Sequence, residues 1–118
     1  MKAVLLVSHG SRSAKAKEEI EALIRKIKAR SKLRVVRYAF LEIEKPSIPE
    51  GIKQCIDDGA TKVHLLMNFL NAGRHTDIDI PLIFKEAKRK YPNVSISMSK
   101  PVGQHEGIVE LFLDMIEA

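Results

Sequence analysis

The histidine at position 9 stands where an apolar strand ends. Residues 3–7, Ala-Val-Leu-Leu-Val, are typical of a strand buried on both faces of a parallel sheet. Ser8, His9 and Gly10 follow directly, and ligands of open parallel sheets bind outside the carboxyl ends of the strands. A neutral imidazole at that edge can act as a metal ligand or as a general base near neutral pH. The alternative is that His9 is a polar residue of the turn into the next helix.

Two further polar residues fall at equivalent places along the chain. Glu42 ends the second predicted strand, and His75 lies in the loop after the third. Two imidazoles and a carboxylate suit a divalent cation such as Co²⁺, Ni²⁺, Fe²⁺ or Zn²⁺, and they could equally serve proton transfer. In the same loop, Gly73 offers backbone freedom and Arg74 offers a guanidinium that can pair with a substrate carboxylate in a bidentate manner.

The remaining histidines and the acids of this loop have structural interpretations. His64 lies inside the third strand and is expected to be a structural or edge histidine. His105 opens the last helix and is expected on the surface, although it is close enough to the same edge of the sheet to stay a reserve candidate. Asp77 and Asp79 precede an Ile-Pro helix start, so we expect them to cap that helix.

Strand and helix signals alternate along the whole chain. The predicted strands are residues 3–8, Leu33 to about Leu41, Lys62 to about Phe69, and Val94–Met98. The first three predicted helices cover about residues 14–30, the segment from Ser47 to a C-terminal Gly59, and the segment from Asp79 to Pro92. A final helix is expected to bury Ile108, Leu111, Phe112 and Met115, and the longer loops are Leu70–Asp77 and Lys100–Gly103.

Four strand-helix units predict an α/β fold: a three-layer domain in which helices flank both faces of a four-stranded parallel sheet through right-handed crossovers. The 118 residues are expected to form one domain, residues 1–118.

Composition excludes several classes of protein. No apolar run reaches the roughly 20 residues that a bilayer span needs. The N-terminus enters a strand without a signal-peptide pattern, so we expect an intracellular, cytoplasmic protein. Cys55 is the one cysteine, which argues against disulfides, iron–sulfur clusters and structural zinc sites, and its place on a helix predicts a core position.

The charge balance is basic but does not indicate nucleic-acid binding. The net charge is +5, and the sequence pI is about 9.4. The lysines and arginines fall mainly on predicted solvent-exposed helix faces and helix C-termini, where cations complement the helix dipole. They are not interleaved with aromatic residues. Anionic membranes and polyanionic small molecules are the other partners that a basic chain can bind.

Four segments in this order carry a family pattern. They are Ser8-His9-Gly10-Ser11-Arg12, Phe40-Leu41-Glu42 with Pro46, Phe69-Leu70-x-x-Gly73-x-His75 leading into Asp79-Ile80-Pro81, and Pro101-Val102-Gly103. Together they resemble the CbiX-type sirohydrochlorin chelatases. Asn68, where many relatives carry proline, and Arg74, where a small residue is common, depart from the pattern.

The resemblance implies a class II chelatase, which inserts a divalent metal into a tetrapyrrole without ATP. His9 and His75 match the family histidines implicated in metal binding and catalysis, and Glu42 matches the accompanying acid. The substrate-binding residues are expected to be Ser11, Arg12, Lys45, Gly73 and Arg74. The implied substrate is a polycarboxylate, which suits the positive charge near the predicted cleft from Arg12, Lys45, Arg74 and Lys100. The metal is then a substrate, with no permanently bound cofactor, and Co²⁺, Ni²⁺ and Fe²⁺ serve the cobalamin, F430 and sirohaem pathways respectively.

The chain is about half as long as the two-lobed chelatases, so the resemblance implies a homodimer in which two copies enclose the flat macrocycle. Two other functions stay open. One is a carrier that binds metal or tetrapyrrole without turnover. The other is a phosphate-handling enzyme with His9 as nucleophile, against which Ser8 counts, because histidine phosphatases use an Arg-His-Gly motif.

Overall fold

The chain folds around a parallel sheet, as the alternation of strand and helix signals predicts. The computed structural model describes residues 1–117, apart from the side chain of His75. The strands are β1 (Lys2–Ser8), β2 (Val35–Phe40), β3 (Lys62–Met67) and β4 (Ser95–Pro101). Their order across the sheet is β2-β1-β3-β4, and every neighbouring pair is parallel. The carboxyl ends of all four strands therefore meet at one edge.

Four α-helices and two short helical turns connect the strands. The α-helices are α1 (Ala14–Arg30), α2 (Ile48–Asp57), α3 (Ile80–Lys90) and α4 (Gly107–Glu117). The short turns are a π-helical turn (His75–Asp79) and a 3₁₀ turn (Val102–Gln104). Gly59 has φ +101°, so the predicted left-handed residue after α2 is confirmed.

Two helices pack on one face of the sheet and one on the other. Side chains of β1 and β3, such as Leu5 and Leu65, are fully buried in one cluster with Ile52 of α2 and Ile80 of α3. Helix α1 lies mainly against β2 and carries no fully buried residue. The predicted three-layer α/β architecture is therefore confirmed, with an unequal division of the helices.

Three strand boundaries differ from the prediction by two residues or more. Strand β2 begins at Val35 rather than Leu33, and β3 ends at Met67 rather than Phe69. Strand β4 runs to Pro101 instead of ending at Met98, because a register shift between Leu65 and Met67 lets β3 continue pairing. Lys100 and Pro101, which were expected to begin a loop, therefore belong to β4. Proline is tolerated there because β4 is an edge strand and Pro101 is its last residue.

The start of α3 also differs from the prediction. The predicted loop through Asp77 already becomes helical at His75. Asp79 stands at the N-cap position with φ −66° and ψ −49°, and its side chain makes no capping hydrogen bond. The prediction that Asp77 and Asp79 cap this helix is wrong, because the turn before α3 moves the start of the helical backbone upstream.

The predicted final helix is present, although it begins at Gly107 rather than at His105, and the prediction of its burial is wrong. Three residues expected in the core are largely exposed: Leu111 at 59%, Phe112 at 55% and Met115 at 69%. None of the residues of α4 is buried, and Ile108 is half-buried. The helix makes its main contacts with the 3₁₀ turn just before it, so its apolar side does not reach the sheet of its own chain.

Two predictions from composition can be checked directly. Cys55 is completely buried in the core, as expected, and burial raises the pKa of its thiol to about 11. Within residues 1–117, none of the helices combines the length and the apolarity that crossing a bilayer requires.

Candidate functional site

His9 and Glu42 meet at the carboxyl edge of the sheet. His9 follows β1 directly, and Glu42 follows β2 by two residues. Their side chains pair, with Nε2 of His9 2.7 Å from Oε1 of Glu42. The two side chains are 46% and 50% exposed, so the pair is open to a ligand. The structure thus brings together two of the three residues that the sequence singles out for chemistry.

The backbone holds this pair in place by extending the pairing of β1 with β2. The amide of Glu42 donates to the carbonyl of His9 over 3.0 Å, beyond the last ladder pair. Gly10 then turns away with φ +110°, and a Cβ at this position would lie 1.9 Å from the Glu42 carbonyl oxygen. A glycine is required at this position because both the backbone conformation and the available space exclude a side chain.

The loop after Glu42 is fixed by a second acid. Oε2 of Glu44 accepts a hydrogen bond from the backbone amide of Ser11 over 2.9 Å. Between the two acids, Ile43 has φ +73°, a conformation that is strained for a β-branched residue. A strained conformation of this kind persists only where contacts with the surrounding structure hold the backbone in place. On either side of Ile43, Glu42 and Glu44 both hydrogen-bond to the segment after β1, so these contacts hold the backbone in this conformation.

A partly buried polar pair ties β1 to the residue after β3, next to His9 in the sequence. Nδ2 of Asn68 donates to Oγ of Ser8 over 3.0 Å, and its backbone amide donates to the carbonyl of Val7. Ser8 is 7% exposed. Asn68, a departure from the family pattern, therefore has a structural role. The residue before His9 is a buried hydroxyl rather than an arginine, which agrees with the argument against a histidine phosphatase.

The loop after β3 brings Gly73 and Arg74 to His9. An open pocket of about 270 Å³ lies there, lined by His9, Phe69, Asn71, Gly73, Arg74 and Thr76. Oγ1 of Thr76 accepts from the amide of Gly73 over 2.8 Å, which closes the turn. His75 begins the helical turn in this loop. Its imidazole, and hence its predicted meeting with His9, lies outside the described residues.

The other predicted substrate contacts are more dispersed. The backbone amide of Ser11 donates its hydrogen bond to Glu44. Arg12 and Lys45 are exposed, and these two residues do not belong to the described lining of the His9 pocket. Lys100 lies on β4 and lines a separate groove.

The two remaining histidines take the structural places expected of them. Nδ1 of His64 lies 2.6 Å from Oγ of Ser97, and burial, with a smaller contribution from Lys2, lowers its pKa. His105 is exposed, and its Nδ1 accepts from the amide of Gly107 at the start of α4.

Sequence reasoning missed Glu44, Thr76 and the Ser8–Asn68 pair. Thr76 stands three residues after Gly73, a spacing at which a hydroxyl can close a turn, so that signal was present. Glu44 carries no such signal, because its partner Ser11 is 33 residues away and the contact depends on how β2 ends.

The described site is the His9–Glu42 pair beside a pocket that Arg74 also lines. Among the described side chains, no group of three or more histidines, cysteines or acids is placed to hold a metal ion. An ionised Glu42 only accepts hydrogen bonds, so the pairing makes Nε2 of His9 the donor. An imidazole at this position can take part in proton transfer or bind a cation.

Comparison with known proteins identifies the family. The model of the CbiX family matches residues 3–118. The chain belongs to the CbiX family. The resemblance of the four sequence segments is thereby confirmed.

Named relatives include enzymes for two metals. The sirohydrochlorin ferrochelatase of Bacillus subtilis (strain 168) is 36% identical over 108 residues, which are 92% of this chain and 41% of that protein. The sirohydrochlorin cobaltochelatase of Sulfurisphaera tokodaii is 33% identical over 118 residues, covering 99% of this chain and 92% of that protein.

A solved structure has the same fold over nearly the whole chain. The sirohydrochlorin chelatase SirB from Bacillus subtilis subspecies spizizenii, in complex with cobalt, superposes with a TM-score of 0.86 at 34% identity. The match covers 98% of this chain and 50% of that one. The chain thus spans about half the length of SirB and of the Bacillus ferrochelatase, and nearly all of the Sulfurisphaera protein.

Proposed function

We propose that this protein inserts a divalent metal into sirohydrochlorin without ATP and acts in the cytoplasm. The observation that carries the proposal is the exposed His9–Glu42 pair at the carboxyl edge of the sheet. The names of the relatives support it, since they act on sirohydrochlorin with cobalt or iron.

Metal insertion requires two pyrrole N–H bonds to break while metal–nitrogen bonds form, so two protons must leave the macrocycle. The imidazole of His9 accepts one of them, and the Glu42 carboxylate 2.7 Å from its Nε2 stabilises the resulting imidazolium. His75, on the adjacent turn, supplies a second imidazole. We assign metal delivery and proton acceptance to His9 and His75 together. One histidine holds the metal while the other accepts a proton, and the two roles can be exchanged without changing the reaction.

The metal must lose water before it enters the ring. Imidazole nitrogen is a suitable ligand for Co²⁺, Ni²⁺ and Fe²⁺, and a site with few protein ligands releases its metal readily. We favour Co²⁺ because the Sulfurisphaera tokodaii protein is named a cobaltochelatase, and this chain covers 92% of that protein's length. Fe²⁺ and Ni²⁺ are the alternatives.

The substrate is a polycarboxylate, which suits the cationic character of the chain. Arg74 lines the pocket that also contains His9, so it is placed to pair with a carboxylate of the bound ring. Ser11, Arg12, Lys45 and Gly73 are the further proposed contacts. One domain offers one wall for a flat ring, and we propose that a homodimer supplies the second.

The test is anaerobic incubation with sirohydrochlorin and Co²⁺, Ni²⁺ or Fe²⁺, following the absorbance change of insertion. His9→Ala and His75→Ala should each lose most of the insertion rate. The matched control is His64→Ala, which removes an imidazole paired with Ser97 and should keep most of it. Near-wild-type turnover in either of the first two variants contradicts the assignment of the site. Tight product retention without turnover would instead identify a carrier.

A further inference from the structure

The positive charge of the chain is concentrated in one segment, which runs from the second half of α1 through β2. Residues 22–41 contain seven lysines and arginines and no aspartate or glutamate. The net charge of the whole chain is +5, so the remaining residues together have a net negative charge. All but one of these seven cations precede β2, and they therefore lie toward the amino end of that strand, away from His9 and Glu42. The proposed function uses none of them.

Strand β2 is an edge strand, and its only neighbour in the described sheet is β1. In a parallel pair, alternate residues of an edge strand direct their backbone N–H and C=O groups away from the neighbouring strand. The amide of Phe40 points outward in this way, because it donates to the carbonyl of Pro46 over 2.9 Å rather than to β1. By the same alternation, the N–H and C=O groups of Val36 and Tyr38 also point outward from the sheet.

The chain itself places an extended segment at one end of this outer edge. Ser47 forms a parallel bridge with Phe40, next to the hydrogen bond between Phe40 and Pro46. Within residues 1–117, this bridge is the one β-pairing on the outer side of β2. An extended segment can therefore pair with this edge, and the part from Val35 to Tyr38 is still open to one.

Two grooves follow the open part of the edge, and α1 and α2 form their walls. The wider groove, of about 440 Å³, is lined by Lys28, Arg34, Val35, Val36, Arg37 and Asp58. The other groove, of about 240 Å³, is lined by Ile24, Val36, Arg37, Tyr38, Pro46 and Gln54. Each groove has a residue of α1 on one side and a residue of α2, or the one just after it, on the other. Strand β2 therefore forms the floor between two helical walls.

The wider groove has a net positive charge. Asp58, the acid in its described lining, is already engaged with Arg37: Nε of Arg37 lies 2.6 Å from Oδ2 of Asp58, and Nη2 lies 3.1 Å from Oδ1. Lys28 and Arg34 are exposed and face the same groove. These two cations are therefore available to acidic groups of a ligand.

We propose that an extended acidic segment of another protein adds to the outer edge of β2, between α1 and α2. Its backbone pairs with the outward N–H and C=O groups of Val36 and Tyr38, and its acidic side chains pair with Lys28 and Arg34. In strand addition the main-chain hydrogen bonds provide affinity and the side chains beside the edge provide specificity. The partner lies along the side of the sheet, so the pocket beside His9 stays open to substrate.

An acidic polypeptide fits this edge better than three other occupants. A second copy of the chain would bring two strongly basic segments together, and like charges across paired strands are destabilising. A nucleic acid would need exposed aromatic rings for base stacking, but the cations are not interleaved with aromatic residues, and Nζ of Lys17 lies 5.9 Å from the centre of the Tyr38 ring. A membrane surface would leave the outward backbone groups of β2 without hydrogen-bond partners of alternating kind.

Two synthetic peptides test whether binding uses the strand edge as well as the charge. A short peptide of alternating glutamate and valine should bind the wild-type chain and slow hydrogen exchange at the amides of Val36 and Tyr38, which NMR measures residue by residue. The same peptide with alternate backbone nitrogens methylated keeps its charges but cannot pair fully with an edge, so it should bind much more weakly. Equal affinity for the two peptides overturns the strand addition, as does binding that leaves both amides unprotected. Failure of the first peptide to bind at millimolar concentration overturns it as well.

Charge reversal with a matched control tests the two assigned cations. Lys28→Glu and Arg34→Glu should each weaken binding of the glutamate-valine peptide by about fivefold. Lys85→Glu makes the same change in net charge on α3, which contacts β4 at the other edge of the sheet, and should leave the affinity unchanged. An equal loss in all three variants would show a general effect of net charge and would overturn the inference.

The same chain is also tested with oligouridylate and with phosphatidylglycerol vesicles. Weak binding of both, compared with the acidic peptide, supports the proposal. Tight binding of either one, with loss of that binding in Arg34→Glu but not in Lys85→Glu, would assign the basic segment to a nucleic acid or to a membrane and would overturn it. None of these experiments uses metal or tetrapyrrole, so their outcome leaves the proposed function unaffected.

Discussion

Gly10 is the residue on which the His9–Glu42 geometry most depends. A Cβ there would stand 1.9 Å from the Glu42 carbonyl oxygen, and the φ of +110° disfavours any side chain. Gly10→Ala must therefore displace the peptide of Glu42, and we expect a loss of about 1–3 kcal/mol in the free energy of unfolding. Gly73→Ala is the control, since a Cβ at Gly73 meets nothing within 4 Å. Urea unfolding measures both, and equal midpoints for the two variants would contradict the close approach.

The thiol of Cys55 gives a pH-dependent prediction. Burial raises its pKa to about 11, whereas an unfolded cysteine titrates near 8.5. The unfolded chain therefore loses its thiol proton first, and between about pH 8.5 and 11 this group lowers the stability of the fold as pH rises. At pH 8 a disulfide reagent should label Cys55 at the rate of unfolding, and quickly in denaturant. Rapid labelling of the native protein would show that the thiol is accessible.

At the scale of single residues, the sequence predicts which polar residues stand at the ends of strands. It does not predict the hydrogen bonds that join one loop to another. His9 and Glu42 were predicted because each directly follows an apolar strand, and parallel strands share one carboxyl edge. The bond between Glu44 and the Ser11 amide depends on the strained conformation of Ile43. No local pattern specifies that conformation.

At the scale of elements, two serines can be compared because each occupies the N-cap position of a helix, Ser47 before α2 and Ser13 before α1. Ser47 forms a full capping box with Glu50: its Oγ accepts from the Glu50 amide, and Oε1 of Glu50 accepts from the Ser47 amide. Ser13 occupies the same position before α1 and makes no side-chain capping bond. Ser47→Ala should lower the free energy of unfolding by about 1 kcal/mol, and Ser13→Ala by less than about 0.5 kcal/mol. Chemical denaturation of the two variants compares them directly, and equal losses would contradict the role of the box.

The elements also show where sequence periodicity stops being informative. The bounds of α1 and the capped start of α2 follow from local signals, and both agree with the structure. The end of β4 depends on a register shift in β3, which is a contact between distant segments. In α4 the apolar spacing correctly predicts which residues share a face. It could not show that this face is turned away from the sheet of its own chain.

At the scale of the whole molecule, the homodimer that we propose would make the proposed catalysis depend on association. One sheet edge supplies one His9–Glu42 pair and one wall, and a two-fold dimer supplies two of each around the flat ring. The rate per chain should therefore fall on dilution in step with the dimer fraction. By mass action, about half of the chains are dimeric when the total chain concentration equals the dissociation constant, so the rate per chain should be about half its maximum there. Insertion rates over a dilution series, compared with the mass measured at each concentration, provide the test. A dimer held together by a chemical cross-link is the control, and its rate per chain should not change with dilution. A diluted monomer with full activity would show that a single wall is enough.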